Sequence, residues 1–96
     1  MITEHVLLHV ADEQSAAFET AFVKARRLIA LSPGFVSLSL CRDAETSGQY
    51  LLLVEWESIA AHRDGFRKSE RYAAWSALLH PFYESMPVVR YFGQPI

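Results

Sequence analysis

His62 is the side chain whose type and position most favour acid–base chemistry. An imidazole titrates near neutral pH, so it can take up or release a proton under ordinary conditions. The helical segment that carries His62 directly follows Trp56. We therefore predict that His62 is a general base. The alternative is a histidine exposed on a polar turn of helix, without a chemical role.

Aromatic side chains near His62 predict a wall for a flat ligand. Trp56, Phe66, Tyr72 and Trp75 lie within a short stretch of the chain. Large rings supply apolar contact area, and the Tyr72 hydroxyl adds a hydrogen bond to an oxygen that carries negative charge. The alternative is that rings at helical spacing simply fill the hydrophobic core.

Three basic side chains lie on the first and last predicted strands. His5 and His9 share one face of the first strand, but four residues of strand span about 13 Å, too far for both to bind one metal ion. We therefore predict no metal site, and we expect His9 to line the ligand cleft unless it packs in the sheet or faces a partner subunit. Arg90 either pairs with a substrate anion or protects an edge strand from aggregation.

The first third of the chain predicts a strand followed by an amphipathic helix. Glu4 to Val10 is an almost unbroken apolar run, which indicates a strand covered on both faces. Ser32-Pro33-Gly34 ends the helix, because proline cannot continue it and glycine tolerates the left-handed turn. Between these limits, from about Asp12, apolar residues recur at helical spacing: Phe18, Ala21, Phe22, Ala25, Leu28 and Ile29.

A hairpin follows the helix. Gln49 to Trp56 is apolar on both faces, and a polar turn joins it to the strand from Gly34 to Arg42. Alternation in that earlier strand predicts two faces. One carries Val36, Leu38 and Leu40, and the other carries Phe35, Ser37, Ser39 and Cys41.

The remainder predicts a broken helix and a last strand. Ser58 begins a short helix that Gly65 should weaken or break, and Ser69 caps a second segment. Pro81 disturbs the end of that segment, because proline lacks the backbone donor that a helix needs. Pro87 to Phe92 forms the last strand.

This order of elements, β-α-β-β-α-β, predicts an α+β, ferredoxin-like fold with a four-stranded antiparallel sheet and helices on one of its faces. A chain of 96 residues has room for one domain, which we place at residues 1–96. Hydrophobic residues make up 51% of the chain, and the other sheet face would be bare in a monomer. We therefore predict a homodimer that pairs through these sheet faces.

Composition also excludes several classes of partner. The net charge is −2 and the basic residues are scattered, which disfavours nucleic-acid binding. No apolar stretch approaches the length needed to cross a membrane. A single cysteine, Cys41, forms no internal disulfide and no paired-cysteine motif, and it fits a reducing cytoplasm.

Local motifs from Tyr50 onward resemble the antibiotic-biosynthesis monooxygenase family. They are Tyr50-Leu51-Leu52-Leu53-Val54-Glu55-Trp56-Glu57-Ser58, Phe66-Arg67-Lys68-Ser69, Trp75 and Pro81-Phe82-Tyr83-Glu84. The resemblance implies a dimeric α/β barrel with a ligand cleft between each sheet and its own helices. It also implies, from some members, oxygenation of aromatic compounds without flavin, haem or metal.

We therefore expect a monooxygenase that needs no cofactor and acts on a small aromatic or quinol-like compound. Such a compound must lose a proton before it can give an electron to dioxygen, which is the task assigned to His62 and Tyr72. The alternative is a non-catalytic protein on the same scaffold that binds a small ligand or acts in a stress response. Haem degradation is disfavoured, because the position of the axial histidine in haem-degrading relatives is Ser76 here.

Many relatives also carry His-x-x-Ser where this chain reads Phe66-Arg67-Lys68-Ser69. The nearest histidine to that motif is His62. The departure leaves the identity of the base to be decided by geometry.

Overall fold

A computed structural model describes all residues of the chain, 1–96. The strands are β1 (Ile2–His9), β2 (Phe35–Arg42), β3 (Gln49–Trp56) and β4 (Val89–Phe92). The helices are α1 (Ser15–Ile29) and α2 (Glu70–Leu79), with a π-helical segment at Ala61–Phe66 and short 3₁₀ turns at Asp12–Gln14 and His80–Phe82. None of these helices is long and apolar enough to span a bilayer.

The four strands form one antiparallel sheet in the order β2-β3-β1-β4. This is the predicted α+β, ferredoxin-like fold, and the predicted order of elements is confirmed. The two central strands are β3 and β1, so His5 on β1 lies opposite Leu53 on one side and Arg90 on the other. We call the face covered by helices the inner face and the other the open face.

Alternation along the strands decides which side chains reach the core. Tyr50, Leu52, Val54 and Trp56 of β3 are all buried, while the residues between them are only partly covered. The same period on β1 buries Val6 and Leu8, together with one acidic residue, Glu4. Helix α1 closes the core with four buried residues at helical spacing: Phe18, Phe22, Ala25 and Ile29.

One predicted strand face is wrong at its first residue. A bulge between Phe35 and Ser37 inserts Val36 as an extra residue, so Phe35 pairs with Trp56. The rings of Phe35 and Trp56 meet edge to face, with centroids 5.9 Å apart. Phe35 therefore packs against the core, because a bulge shifts the alternation of a strand by one residue.

The second helix is broken before Ser69, as predicted, but the break falls at residues 67–68 rather than at Gly65. The backbone continues through Gly65 as a π-helical segment and ends at Phe66, where Arg67 N–H donates to the His62 carbonyl at 3.0 Å. That bond joins residues five apart, the pattern of a π-helix. The prediction for α2 is confirmed at its start, since the Ser69 hydroxyl accepts from the Tyr72 N–H.

Gly48 supports the turn between β2 and β3, and we expect Gly48→Ala to destabilise the fold by roughly 1–3 kcal/mol. Its φ is +84°, and an added Cβ would collide with the Val10 carbonyl oxygen. Urea unfolding measures the loss. Gly93→Ala is the matched control, because nothing lies within 4 Å of a Cβ at Gly93. Equal stability of the two variants would contradict this account.

Candidate functional site

A small pocket lies between the inner face of the sheet and the helical segments that follow β3. Its volume is about 80 Å³. Four of the residues predicted for the site line it, namely His62, Phe66, Tyr72 and Trp75. Glu4, Arg67, His80 and Tyr83 line it as well. The pocket therefore combines aromatic walls with several groups that exchange or stabilise charge.

Glu4 is the acidic group of this pocket, and only 5% of it is exposed. The indole Nε1–H of Trp56 donates to Glu4 Oε1 at 2.9 Å. His62 Nε2 lies 3.4 Å from the same oxygen. Both contacts hold Oε1, whereas Oε2 accepts no hydrogen bond from the protein. One carboxylate oxygen is thus fixed and the other is available to a ligand.

His62 is buried, with 3% of its surface exposed, so the alternative of an exposed histidine is wrong. Its ring lies 5.2 Å from that of Trp56 and is stacked on that of Phe66 at 6.3 Å. Its Nδ1 is 2.6 Å from the Tyr91 hydroxyl. Both ring nitrogens therefore face a protein group, Nε2 facing Glu4 and Nδ1 facing Tyr91.

His62 and Phe66 both point inward from the π-helical segment. Residues four apart lie on the same side of a helical segment, and here that side is buried, so the two rings stack. Ser58 precedes the segment, and its hydroxyl accepts from the Ala61 N–H at 3.1 Å. Single π turns occur frequently at functional sites. Here the turn places the imidazole against the carboxylate of β1.

Burial sets the charge states of Glu4 and His62. It raises the pKa of Glu4, although the Trp56 hydrogen bond and the positive charge of Arg67 act in the opposite direction. Burial also lowers the pKa of His62 to about 4, with the charges of Arg67 and Arg63 adding to the effect. At neutral pH His62 is therefore uncharged, and its contact with Glu4 is not an ion pair.

The remaining wall of the pocket is aromatic and basic. The Tyr72 ring packs edge to face against Phe66 at 5.4 Å and His80 at 6.0 Å. Burial lowers the pKa of His80 and raises the pKa of Tyr83, so both are uncharged at neutral pH. Arg67 is exposed overall yet lines the pocket. It is the positive charge nearest to a ligand bound there.

Three predicted site residues lie elsewhere. Trp56 is fully buried beneath the pocket and holds Glu4 rather than lining the cavity. His9 and Arg90 are on the open face of the sheet, where they line a separate hollow with His5. They do not meet the pocket that contains His62. No cluster of three or more His, Cys, Asp or Glu side chains is arranged to hold a metal ion.

Glu4 and Tyr91 are the residues that sequence reasoning missed. Glu4 lies in the run that predicts an apolar strand, in phase with Val6 and Leu8 on the buried face. An acidic residue among the buried positions of a strand indicates a partner or a functional role, because an unpaired charge is rarely buried. Tyr91 pairs with Glu4 in the register of β1 and β4, which no local pattern reveals.

The arrangement suits removal of a proton from a flat, weakly acidic compound. The free oxygen of Glu4 can accept the proton, and Arg67 with the Tyr72 hydroxyl can stabilise the resulting anion. The apolar rings limit access of water. The fold and the site thus define a ferredoxin-like α+β protein with a buried acid–base pocket between sheet and helices.

The chain belongs to the antibiotic biosynthesis monooxygenase family, whose model matches residues 1–78. It is 41% identical over 92 residues to the uncharacterized protein YczJ of Bacillus subtilis (strain 168), covering 96% of this chain and 97% of YczJ. The resemblance seen in the sequence motifs is therefore confirmed.

Solved structures share the fold. A Bordetella bronchiseptica protein assigned to the antibiotic biosynthesis monooxygenases superposes with a TM-score of 0.94 at 27% identity, covering 99% of this chain and 97% of that chain. SnoaB, a cofactor-independent oxygenase from Streptomyces nogalater, gives a TM-score of 0.79 at 21% identity, covering 97% of this chain and 91% of SnoaB.

Proposed function

We propose that this protein is a cofactor-independent monooxygenase that acts on a small aromatic or quinol-like compound. The observation that carries the proposal is the buried carboxylate of Glu4, which faces an aromatic pocket with one oxygen unpaired. Membership of the monooxygenase family and the similarity to SnoaB support the same class of reaction.

In this proposal Glu4, rather than His62, takes the proton. His62 has both nitrogens directed at protein groups, and its low pKa makes it a weak base. Burial raises the pKa of Glu4, which makes the carboxylate a stronger base than an exposed one. His62 then acts as the partner that holds Glu4 in place.

The anion formed from the substrate would lie beside Arg67 and the Tyr72 hydroxyl, between the rings of Phe66 and Trp75. With an anthrone, the methylene carbon of the anion then attacks dioxygen, one oxygen atom stays on that carbon as a carbonyl, and the other leaves as water. With a quinol, a ring carbon that bears hydrogen is attacked, one oxygen atom stays there as a hydroxyl on the resulting quinone, and the other leaves as water. Dioxygen accepts all the electrons that the substrate loses. The protein contributes binding, proton transfer and exclusion of water.

A second candidate is a non-catalytic protein that binds a small ligand in the same pocket. The volume of about 80 Å³ favours it, because sites for drug-sized ligands commonly reach about 300–1,000 Å³. A compound with several fused rings would require the segment around Arg67 and Met86 to move outward. The two candidates are separated by turnover.

Dioxygen uptake tests the proposal, and we expect turnover by chelator-treated protein with a quinol or an anthrone. Labelled dioxygen should place one oxygen-18 atom in the product, without release of hydrogen peroxide. Tyr72→Phe should lower kcat/KM about 10- to 100-fold, since it removes one hydrogen bond to an anionic oxygen.

The control is Tyr50→Phe, whose hydroxyl is bonded to Glu19 outside the pocket. Quenching of tryptophan fluorescence by the same compounds measures binding separately. Binding without dioxygen uptake across single-ring quinols and anthrones would support the second candidate and reject the first.

We also propose a homodimer that pairs through the open faces of two sheets. Leu7, Leu51, Leu53 and Phe92 point to this face together with polar residues. An apolar sheet face without a covering layer is usually buried by another layer. His9 and Arg90 share this face, so any ligand contact that they make would lie at the interface, and their role stays a prediction.

A cytoplasmic location is part of the same proposal. Cys41 is an exposed free thiol on the open face of β2. Exposed unpaired thiols persist in reducing compartments.

A further inference from the structure

Tyr91 approaches the acid–base pair from β4. It lies directly opposite Glu4 in the β1–β4 ladder, so both side chains point to the inner face. Its hydroxyl is 2.6 Å from His62 Nδ1, and its ring meets the His62 ring edge to face at 5.7 Å. The three residues form a row in which His62 lies between a phenol and a carboxylate.

Neutral His62 has a single N–H hydrogen, which can lie toward Tyr91 or toward Glu4. A neutral imidazole carries one N–H, and the group bound to one nitrogen decides which nitrogen has the hydrogen. If the Tyr91 hydroxyl donates to Nδ1, then the hydrogen is on Nε2, where it faces Glu4 Oε1 at 3.4 Å. The other tautomer would set the Nε2 lone pair against a carboxylate oxygen, which is repulsive.

A contact with Arg63 also favours donation of a hydrogen bond from the Tyr91 hydroxyl to His62 Nδ1. The guanidinium of Arg63 lies over the Tyr91 ring, 5.3 Å from its centroid. A cation over a phenol ring withdraws electron density and makes the hydroxyl a better donor. Tyr91 is therefore suited to donate to Nδ1.

We propose that Tyr91 is a positioning residue, which holds His62 as the Nε2–H tautomer and thereby keeps Glu4 ionised with Oε2 free. Trp56 can only donate, so it fixes Oε1 from the other side. The use of Oε2 as a base rests on the proposed monooxygenase function. The effect of Tyr91 on the two neighbouring groups does not.

Other charged and titratable groups also face this row. Arg67 and Arg63 come from the π-helical segment and the residue after it, Tyr72 from α2, and His80 and Tyr83 from the 3₁₀ turn and the residue after it. All of them are retained when only the Tyr91 hydroxyl is removed. Tyr91→Phe therefore isolates the contribution of that hydroxyl.

Nitrogen-15 NMR of histidine-labelled wild-type protein reads the tautomer directly. We expect His62 to show a protonated Nε2 and a bare Nδ1 at neutral pH. A protonated Nδ1 would overturn the proposal, because Tyr91 would then be an acceptor. This measurement needs no variant and no substrate.

Carboxyl carbon-13 NMR then measures the pKa of Glu4. We expect Tyr91→Phe to raise it by roughly half to one pH unit, the equivalent of one lost hydrogen bond. Tyr50→Phe, which removes a phenol hydroxyl from a distant carboxylate, should leave it unchanged. An unchanged pKa of Glu4 in Tyr91→Phe would overturn the proposal.

A double-variant cycle tests whether the effect passes through His62. In a His62→Phe background, Tyr91→Phe should no longer alter the pKa of Glu4. The same rise in both backgrounds would mean that Tyr91 acts on Glu4 without His62, which contradicts the proposed role.

Turnover gives a separate result. If the monooxygenase function holds, the acid limb of kcat/KM should move to higher pH in Tyr91→Phe by the same amount as the pKa of Glu4. Absence of dioxygen uptake in the wild type would reject the proposed function alone, since the NMR results decide the role of Tyr91 by themselves.

Discussion

Replacing Glu4 by glutamine should abolish most dioxygen uptake while leaving the fold intact. Glutamine has the shape of glutamate, and its amide oxygen can still accept from the Trp56 indole N–H. An amide cannot take a proton from the substrate, so we expect kcat to fall roughly 10²- to 10⁴-fold, the usual contribution of a general base. In the wild type, kcat/KM should rise with pH through the raised pKa of Glu4, because the base must be ionised.

The same substitution should improve stability at neutral pH. A carboxyl whose pKa is higher in the folded state than in the unfolded state binds more protons when folded, so stability falls as pH rises from the unfolded pKa through the folded one. Glu4→Gln removes that decrease. Urea unfolding at several pH values should therefore show a flatter dependence for the variant than for the wild type.

Glu19 provides a matched control, because its pKa is shifted in the opposite direction to that of Glu4. Hydrogen bonds from Arg42 and Tyr50 lower the pKa of Glu19 to about 2. Its contribution to stability is thus present above the unfolded pKa and is lost as pH falls toward 2. Glu19→Gln should keep full turnover and lose some stability at neutral pH. Full turnover by Glu4→Gln, with Glu19→Gln behaving as described, would reject Glu4 as the base.

The fold could be predicted from the sequence because hydrophobic periodicity is a local property. The spacing of Phe18, Phe22 and Ile29 predicts α1, and the double apolar period of β3 predicts a central strand. The helix cap at Ser69 is equally local. These signals need only neighbours in the chain, and the structure agrees with them.

The site was harder to predict because its contacts join distant parts of the chain. Glu4 and His62 are brought together only when β1 lies beside β3 and the π-helical segment turns inward. Gly65 predicts a helix break from propensity alone, and the packing of buried Phe66 carries the π-helical path one residue past Gly65 before the break. Similarly, the bulge at Val36 changes the face of Phe35 without any local marker. Strand pairing and packing against distant residues, rather than the local hydrophobic period, decide the conformation at these positions.

Leu53→Arg should separate the proposed dimer into monomers. Leu53 lies at the middle of β3 on the open face, flanked by His5 of β1 and Ser39 of β2. In a twofold interface one substitution alters both subunits, because the same patch occurs on each side. Burial of an unpaired guanidinium costs about 3–5 kcal/mol, which corresponds to a dissociation constant roughly 10²- to 10⁴-fold higher. Light scattering coupled to size exclusion over a dilution series measures the change.

Val23→Arg is the control for added charge alone. Val23 is 56% exposed on α1, on the side of the molecule away from the open face. It should leave the mass in solution unchanged. Both variants should still form a folded protomer, since neither side chain enters the core. A wild-type protein that is monomeric at micromolar concentration would contradict the dimer. That result would leave the proposed roles of Glu4, His62 and Tyr91 unchanged, because these residues lie on the inner face and belong to a single protomer.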